Sequence, residues 1–555
     1  MATATPKGTA DLVLTNGYIY TVDAKRTVAE AMAVKGDTIV YVGDNSGVQK
    51  WIGKNTRVID LKGKMVLPGL VDSHNHATDA VSEIYEVSLY GLGSVDEIKQ
   101  AIHDFVAGRP GLQGLKGAGW INAVFGPHGP TKDLLDGIVP NIPAVLASED
   151  FHSVWVNSKA LELAGVTKDT PDPKGGIIER DADGNPSGTL RESAADLVAD
   201  VIPGYTVDQV VEGLKYFQDM AHSYGMTTVY IPSSDETTLK ALHALEQSGE
   251  MTVRFPTALN VEPQDDLSVV DKLAQVREQE QGGNFWIAGA KLFMDGVLEG
   301  GTAYLEQPYL YKPDSRGELL WDGQKYNEMC AALDRAGFQI HVHSIGDAAT
   351  RITLDGFAYA RQQNEVRDSR NMITHVQLVN PADIARFAEL NVIAVPQPYW
   401  FVVDTYYTQA VEYVGQERAD RQYPMKSFFD KGVVVASASD YPVTIPPDPM
   451  LAIEIGVTRT VPEGSEGYVD PSFSQALVPS ERVTVEQMIT SFTINGAYAA
   501  FLEDEIGSLE AGKKADFIVL DQNILQVQPA KIHNTTVLLT FFGGQEVYRS
   551  EAYSE

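Results

Sequence analysis

Two histidines separated by one residue close the apolar run Val66-Leu67-Pro68-Gly69-Leu70-Val71-Asp72-Ser73-His74-Asn75-His76. On an extended chain, residues i and i+2 share a face and lie about 6.6 Å apart, so two imidazoles leaning inward can reach one metal ion at about 2.1 Å. A strand ending in His-X-His is thus half a metal site, although the same pair also occurs on exposed strands. Four further apolar runs deliver an ionisable group where they stop. Phe285 to Gly296 buries Lys291, Phe338 to His343 carries His341 and His343 before Ser344-Ile345-Gly346-Asp347, Met372-Ile373-Thr374 ends in His375, and Val433 to Ser439 ends at Asp440. Singly, each has a bland reading: a core histidine satisfied by one hydrogen bond, a snorkelling lysine, an aspartate capping a turn. Jointly they match the way a parallel (β/α)8 barrel assembles a site, from the C-terminal ends of several strands.

The elements that must position these groups follow by counting. After His76 the next strand-like run is Met226 to Ile231, preceded by a helical stretch from about Val207 to Tyr224 with Val210, Val211, Leu214, Phe217 and Met220 at helical spacing. Val253 to Leu259, the Lys291 run, the His343 run, the His375 run, Val392 to Pro396 and the Asp440 run follow. With residues 67–76 as strand 1, the set makes the eight strands that close an α/β barrel over 206–498. Residues 77–205 are surplus, far more than a βα loop needs, and are expected to form an inserted cap on the catalytic face. Within them, the turn signals of Lys174 to Gly188, including Asp183-Gly184 and Asn185-Pro186, predict a hairpin. Residues 1–66 and 499–555 hold short apolar runs broken at Asn16-Gly17, Gly36-Asp37 and Gly543-Gly544, and read as β-structure.

Composition fits a soluble enzyme. The chain has 555 residues, 44% of them hydrophobic, and a formal net charge of −32, which disfavours nucleic acid and anionic membrane as partners. The lone cysteine, Cys330, permits no internal disulfide and is expected to pack on a helix. The first residues lack an apolar signal core and no 18-residue apolar span occurs, so a cytoplasmic location is expected.

These motifs, together with Gly225-Met226-Thr227-Thr228-Val229, Trp155-Val156-Asn157-Ser158, Thr493-Ile494-Asn495-Gly496-Ala497 and Gly507 to Leu520, resemble the amidohydrolase superfamily, and within it the YtcJ-like amidohydrolase family 3. The resemblance spans nearly the whole chain. It implies that His74 and His76 bind one divalent metal ion, that His343 and His375 bind a second, that a carbamylated Lys291 bridges them, and that Asp440 shuttles a proton. Zinc is the first candidate, with manganese or cobalt as alternatives. It further implies a small β-sandwich built from both termini, a small-molecule substrate and a homodimer. The segment before Asp440 reads Ser437-Ala438-Ser439 where Leu-Gly-Ser is usual, a change that leaves the aspartate in place. His341 and His343 share a face, and spacing alone leaves both open as the ligand.

Such a set suits hydrolysis of amide-like C–N bonds, where water is a weak nucleophile, the carbonyl a poor electrophile and the amine a poor leaving group. Two metal ions about 3.5 to 4 Å apart answer the first two difficulties and a positioned carboxylate the third. A charged lysine cannot bind a cation, so Lys291 contributes once neutral and carbamylated; the bland alternative pairs it with Asp295. In the insertion, His152 is a candidate to polarise the substrate carbonyl, with Trp120 and Trp155 as substrate contacts. Trp400 with Tyr399, and Glu299 with Thr302 beyond the Lys291 run, complete the substrate candidates. The expected function is metal-dependent hydrolysis of an N-substituted amide, formamide or carbamate. The alternatives are a mononuclear deaminase of a cyclic amidine, which would not need a carbamylated Lys291, and a metal-binding regulator without turnover.

Overall fold

The apolar runs that end in ionisable groups form parallel strands. The computed structural model describes residues 8–149, 152–173, 176–465 and 474–553. In it, Ile231–Ser234, Phe255–Asn260, Phe285–Phe293, Gln339–Ser344, Met372–His375 and Ile393–Val395 make one six-stranded sheet in that order, parallel throughout. Met226–Val229 pairs in parallel with Leu70–Asp72. Helices such as Glu236–Gln247, Gly323–Arg335 and Asp347–Gln363 alternate with the strands. Asp235 and Asp322 cap the first two by accepting from backbone N–H groups of the first turn.

No continuous ladder joins all eight expected strands. Isolated parallel bridges, Thr228 with Arg254 and Ala394 with Val435, connect the pair and the Val433–Ser439 run to the six-stranded sheet. Ser73 N donates to Ser437 O at 3.2 Å and Asp440 N to His74 O at 2.9 Å, tying that run to the first strand. The arrangement is TIM-barrel-like, with its last segment bonded to the Ile393–Val395 strand end through Ala394 N to Val434 O, Ala436 N to Ala394 O and Ala438 N to Pro396 O at 3.0–3.1 Å.

Both chain ends meet in two further sheets. Thr38–Gly43, Ala31–Lys35, Leu12–Thr15 and Arg57–Asp60 form one; Gln545–Arg549, Val537–Phe542, Phe517–Leu520, Met65–Pro68, Tyr18–Tyr20 and Val28–Ala29 form the other. They share a core that includes Leu14, Met32, Val34, Val66, Phe517, Val519, Leu539 and Phe541. The boundary expected at residue 67 shifts. Met65–Pro68 belongs to the terminal sheet, antiparallel to Phe517–Leu520, and the barrel strand proper is Leu70–Asp72. Between them Gly69 passes so close to Thr227 that a Cβ would lie 2.3 Å from its hydroxyl, so the corner requires glycine.

The insertion is a compact unit of residues 78–216, distinct from the unit formed by 1–77 and 217–555. Its expected limit at 205 thus extends into the helix Val207–Ser223. A six-stranded mixed sheet forms it, with Glu86–Ser88, Leu115–Trp120 and Ala144–Ser148 parallel, and Ser153–Val156, Pro186–Glu192 and Gly176–Arg180 added antiparallel. The last two strands are the expected hairpin, its turn closed by Asp181, whose carboxylate accepts from Asp183 N and Asn185 N. Lys174 and Gly175 of that motif, Asp150 and Phe151 beside His152, and Met1 to Lys7 lie outside the described residues. Cys330 is buried in the helix Gly323–Arg335, where burial pushes its thiol up to about 12. No helix among the described residues is long and apolar enough to cross a membrane.

Arg254, at the foot of the strand Phe255–Asn260, pairs with Asp516, at the edge of the terminal sheet, and both are buried. Its guanidinium also lies over the Phe542 ring, 4.5 Å from the centroid. Removing one partner of a buried ion pair strands the other, at a cost of about 3–5 kcal/mol. Asp516→Ala is therefore expected to lower the urea midpoint of this unit clearly, whereas the exposed Glu417→Ala, which loses only an i,i+4 pair with Arg421, should leave it within experimental scatter.

Candidate metal centre

His74 and His76 extend past Leu70–Asp72, and their rings converge on Asp440. His74 Nε2 lies 3.3 Å and His76 Nε2 3.5 Å from the same carboxylate oxygen, Asp440 Oδ1. Ligand atoms around a tetrahedral ion with bonds of about 2.1 Å stand about 3.4 Å apart, so the spacing is that of a coordination shell. Among the described residues these three are the one group of His, Cys, Asp and Glu whose ligand atoms all lie within 4.8 Å of one another.

A fully buried carboxylate, Asp72, holds this arrangement. Its Oδ1 accepts from His74 N at 3.2 Å and Ser439 N at 3.0 Å, and its Oδ2 from Ser439 Oγ at 2.5 Å and Asn75 Nδ2 at 3.0 Å. Asn75 Nδ2 also reaches Ser439 Oγ at 3.1 Å. One side chain thereby staples the end of the first strand to the residue before Asp440. Burial pushes the Asp72 carboxyl up, and the bonds from Ser439, Asn75 and His74 pull it back.

The remaining ligand candidates come from adjacent strands in register. Lys291 pairs with His341 and Phe293 with His343 across Phe285–Phe293 and Gln339–Ser344. His343 pairs with Thr374, and His375 with Ser344, whose hydroxyl meets Thr350 in the flanking helix. Regular alternation would turn His375 toward that helix. Instead His375 has φ +74°, a left-handed conformation that ends the strand, and its ring meets His343 at 4.6 Å between centroids and His74 at 5.3 Å. Asp440 likewise has φ +59°.

Hydrogen bonds to one ring nitrogen leave the other for a ligand. His74 Nδ1 is 2.8 Å from His341 Nε2, His343 Nε2 is 3.2 Å from Gly296 O, and His375 Nδ1 is 3.0 Å from Gln397 Oε1. The nitrogens left without these bonds are Nε2 of His74, Nδ1 of His343 and Nε2 of His375, and a partner on the other nitrogen is what orients metal-binding histidines in general. The His341 ring meets His74, with centroids 4.8 Å apart, whereas His343 meets Gly296 O and the His375 ring.

Electrostatics agrees with ligation. Burial, reinforced by the nearby Lys291 charge, lowers His76 to about 4 and His343 to about 3, and holds His74 and His375 well below the usual range. All four are neutral at physiological pH, as ligands must be. Lys291, 1% exposed, is lowered by burial to about 7, with the Asp440 charge opposing the shift. It forms no ion pair with Asp295. That carboxylate instead accepts from the backbone N–H groups of Ile345, Gly346 and Tyr304 at 2.8–3.0 Å, and burial raises it to about 7.

Of the substrate candidates, Trp400 stacks on His375 at 5.7 Å with an interplanar angle of 13°, and its indole donates to Thr444 Oγ1 at 2.9 Å. Glu299 is half-buried, and desolvation raises its carboxyl against hydrogen bonds from its own backbone N–H and from Gln377, two residues past His375. Thr302 closes its own loop by bonding Val297 N at 3.0 Å, and Tyr399 is buried. The expectation that Trp120 and Trp155 contact substrate is not met within the 78–216 unit. Both are fully buried in its core, and their indoles donate to Leu146 O at 2.8 Å and Thr131 O at 2.9 Å. His152, in the same unit, is exposed, with Nδ1 3.1 Å from the Glu192 carboxylate. Sequence reasoning assigned no role to Asp72, Gln397 or Phe293, whose ring lies 5.0 Å from that of His343; the signal for Asp72 was its place two residues before His74.

The sequence profile of the amidohydrolase family matches residues 57–548. The chain belongs to the amidohydrolase family. It is 31% identical over 557 residues to the protein LONG AFTER FAR-RED 3 of Arabidopsis thaliana, covering 97% of this chain and 92% of that one. It is 27% identical to an N-substituted formamide deformylase of Arthrobacter pascens, covering 96% and 97%. The structure of an uncharacterized metal-dependent hydrolase from Pyrococcus furiosus superposes with a TM-score of 0.76 at 28% identity, over 93% of this chain and 100% of that one. As a member, this amidohydrolase is a metal-dependent hydrolase acting on C–N bonds.

The staple yields a test. Asp72→Asn keeps one oxygen for the N–H groups of His74 and Ser439 but turns the other into a donor facing Ser439 Oγ and Asn75 Nδ2, so those two bonds are lost and the remaining two lose their charged acceptor. Zinc retained per chain after gel filtration is expected to fall for Asp72→Asn and to stay unchanged for His103→Asn, an exposed histidine in the 78–216 unit.

Proposed function

We propose that this amidohydrolase cleaves a non-peptide C–N bond in a small N-substituted amide, formamide or carbamate. His74, His76, Lys291, His343 and His375 hold two divalent ions, zinc first among candidates, and Asp440 moves the proton. The observation that carries this reading is the single oxygen of Asp440 placed 3.3 and 3.5 Å from Nε2 of His74 and His76. The name of the Arthrobacter relative, N-substituted formamide deformylase, supports the substrate class. The finer architecture belongs with this reading: a closed (β/α)8 barrel, and a cap whose chain leaves directly after His76.

Bound divalent ions supply Lewis-acid polarisation of the carbonyl and make a water acidic near neutral pH. The protein does the rest. His74, His343 and His375 present one oriented nitrogen each because Nδ1, Nε2 and Nδ1 respectively are already engaged. Asp440 accepts the proton of the attacking water and returns it to the departing nitrogen, so the amine leaves neutral. Lys291, with its amine freed by burial, would add carbon dioxide, losing one proton and becoming an anionic carbamate that could serve as a ligand. Its neutralisation also removes the positive charge that would repel a cation from the four histidines.

Chelation is expected to abolish hydrolysis of N-substituted formamides, and zinc, manganese or cobalt to restore it; full activity of metal-free protein would refute the reading. Asp440→Asn should cut turnover about 10² to 10⁴-fold, the usual contribution of a positioned acid or base, while at least one ion is retained. Metal binding without turnover on an amide panel would favour a regulator, and turnover confined to cyclic amidines a deaminase. Because Lys291 is shifted down to about 7, free amine predominates above that pH. Labelled carbon dioxide should therefore be taken up by the protein increasingly between about pH 6 and pH 8, as read by ¹³C NMR. Lys291→Ala should lack that signal, and a wild-type protein without it would remove the carbamate from the reading.

A further inference from the structure

We infer that His341 is a positioning residue that sets the tautomer of His74 and so makes His74 a metal ligand. The inference rests on the metal centre proposed above and goes beyond it, since His341 is itself no ligand. Its ring is completely buried, with Nε2 2.8 Å from His74 Nδ1. The Tyr230 ring packs against it at 5.3 Å, and the Tyr230 hydroxyl is fixed on Gln339 Oε1 at 3.0 Å, so His341 is wedged between Tyr230 and His74.

Two neutral imidazoles joined by one hydrogen bond hold two protons in one of two arrangements. In the first, His341 donates from Nε2 to His74 Nδ1. His74 then carries its own proton on Nε2, aimed at Asp440 Oδ1, and has no lone pair for a metal. In the second, His74 donates from Nδ1 to His341 Nε2. His74 Nε2 is then a free lone pair facing His76 and Asp440, and the His341 proton sits on Nδ1. No proton is gained or lost between the two. Ligation by His74 requires the second, so the acceptor must be an unprotonated Nε2 on His341.

His341 Nδ1 is the nitrogen that then carries a proton, and it is buried with no hydrogen-bond partner among the described residues. A buried unpaired N–H is disfavoured on its own. A bond from a metal ion to His74 Nε2 offsets that cost, so tautomer choice at His341 and metal binding at His74 are coupled. Gly296 O and Gln397 Oε1 orient His343 and His375 in the ordinary way, as acceptors needing no such rearrangement. His74 alone depends on a partner that must itself switch.

The test is zinc titration of full-length His341→Phe, which keeps an aromatic ring and loses the acceptor, and of His341→Gln, which restores an acceptor oxygen at the reach of Nε2. The expected result is about 10- to 100-fold weaker zinc binding for His341→Phe, with most of that loss recovered in His341→Gln. Wild-type affinity in His341→Phe, or an equal loss in both variants, would overturn the inference. Should His341→Phe fail to fold, ¹⁵N shifts of labelled histidines in zinc-loaded wild-type protein decide it: a proton on Nδ1 of His341 supports the assignment, and one on Nε2 overturns it. Wild-type protein that binds no divalent ion would instead overturn the metal centre itself, an outcome distinct from a centre indifferent to His341.

Discussion

Four donors converge on the buried carboxylate of Asp72, and everything at the centre depends on that convergence. Two come from the chain end carrying His74 and Asn75, and two from Ser439. The Val433–Ser439 run bonds on one side to Ala394 and Pro396, through Ala394 N to Val434 O, Ala436 N to Ala394 O and Ala438 N to Pro396 O, and meets the first strand on the other side through Ser73 N to Ser437 O. The staple fixes the end of that run, and with it Asp440, against the chain that carries His74. Each hydrogen bond to a charged acceptor contributes about 1.5–3 kcal/mol, which offsets part of the cost of taking one carboxylate out of water. The same residues that align the backbone therefore also set the 3.3 and 3.5 Å separations at Asp440.

Burial does the second part of the work. Ionisable groups removed from water favour their neutral forms, and here that single effect acts in a useful direction on each of the four histidines and on Lys291. Histidines are shifted toward the neutral form that a metal ligand requires, and Lys291 toward a free amine near neutrality. Lys291 and the histidines also repel one another's charge, so neutralising one eases the others. The groups behave as one coupled set, assembled because register places Lys291 beside His341 and His343 beside Thr374, one residue before His375.

The strand ends that carry His74, Lys291, His343 and His375 were legible in the sequence because each is an apolar run stopped by a polar residue, and that pattern survives folding directly. The hairpin at Asp181 to Asn185 was legible for the same local reason. Long-range features were not. Pro68-Gly69 interrupts a run that reads as one strand, and only the pairing of Met65–Pro68 with Phe517–Leu520 assigns its first half to another sheet. Trp120 and Trp155 look like pocket aromatics until the sheet of the 78–216 unit shows that their rings fill its core. His341 and His343 are indistinguishable by spacing. They part only because His74 stands beside one ring and Gly296 O beside the other.

Backbone conformation at His375 and Asp440 explains why spacing could not have placed the whole centre. Both are non-glycine residues with positive φ, a state that costs about 1–2 kcal/mol for an L-residue and that no composition rule anticipates at a strand end. At His375 the left-handed turn rescues a side chain whose register with Ser344 would have sent it to the helix layer. At Asp440 it accompanies the hydrogen bond from Asp440 N to His74 O at 2.9 Å, which sets the carboxylate beside the ligands of the first strand. Strain of this kind persists only where neighbouring contacts outweigh it. The contacts here are the Asp72 staple under Asp440, and Gln397 with the stacked Trp400 against His375. The residues that stabilise the two strained positions are thus the ones that aim the groups they carry.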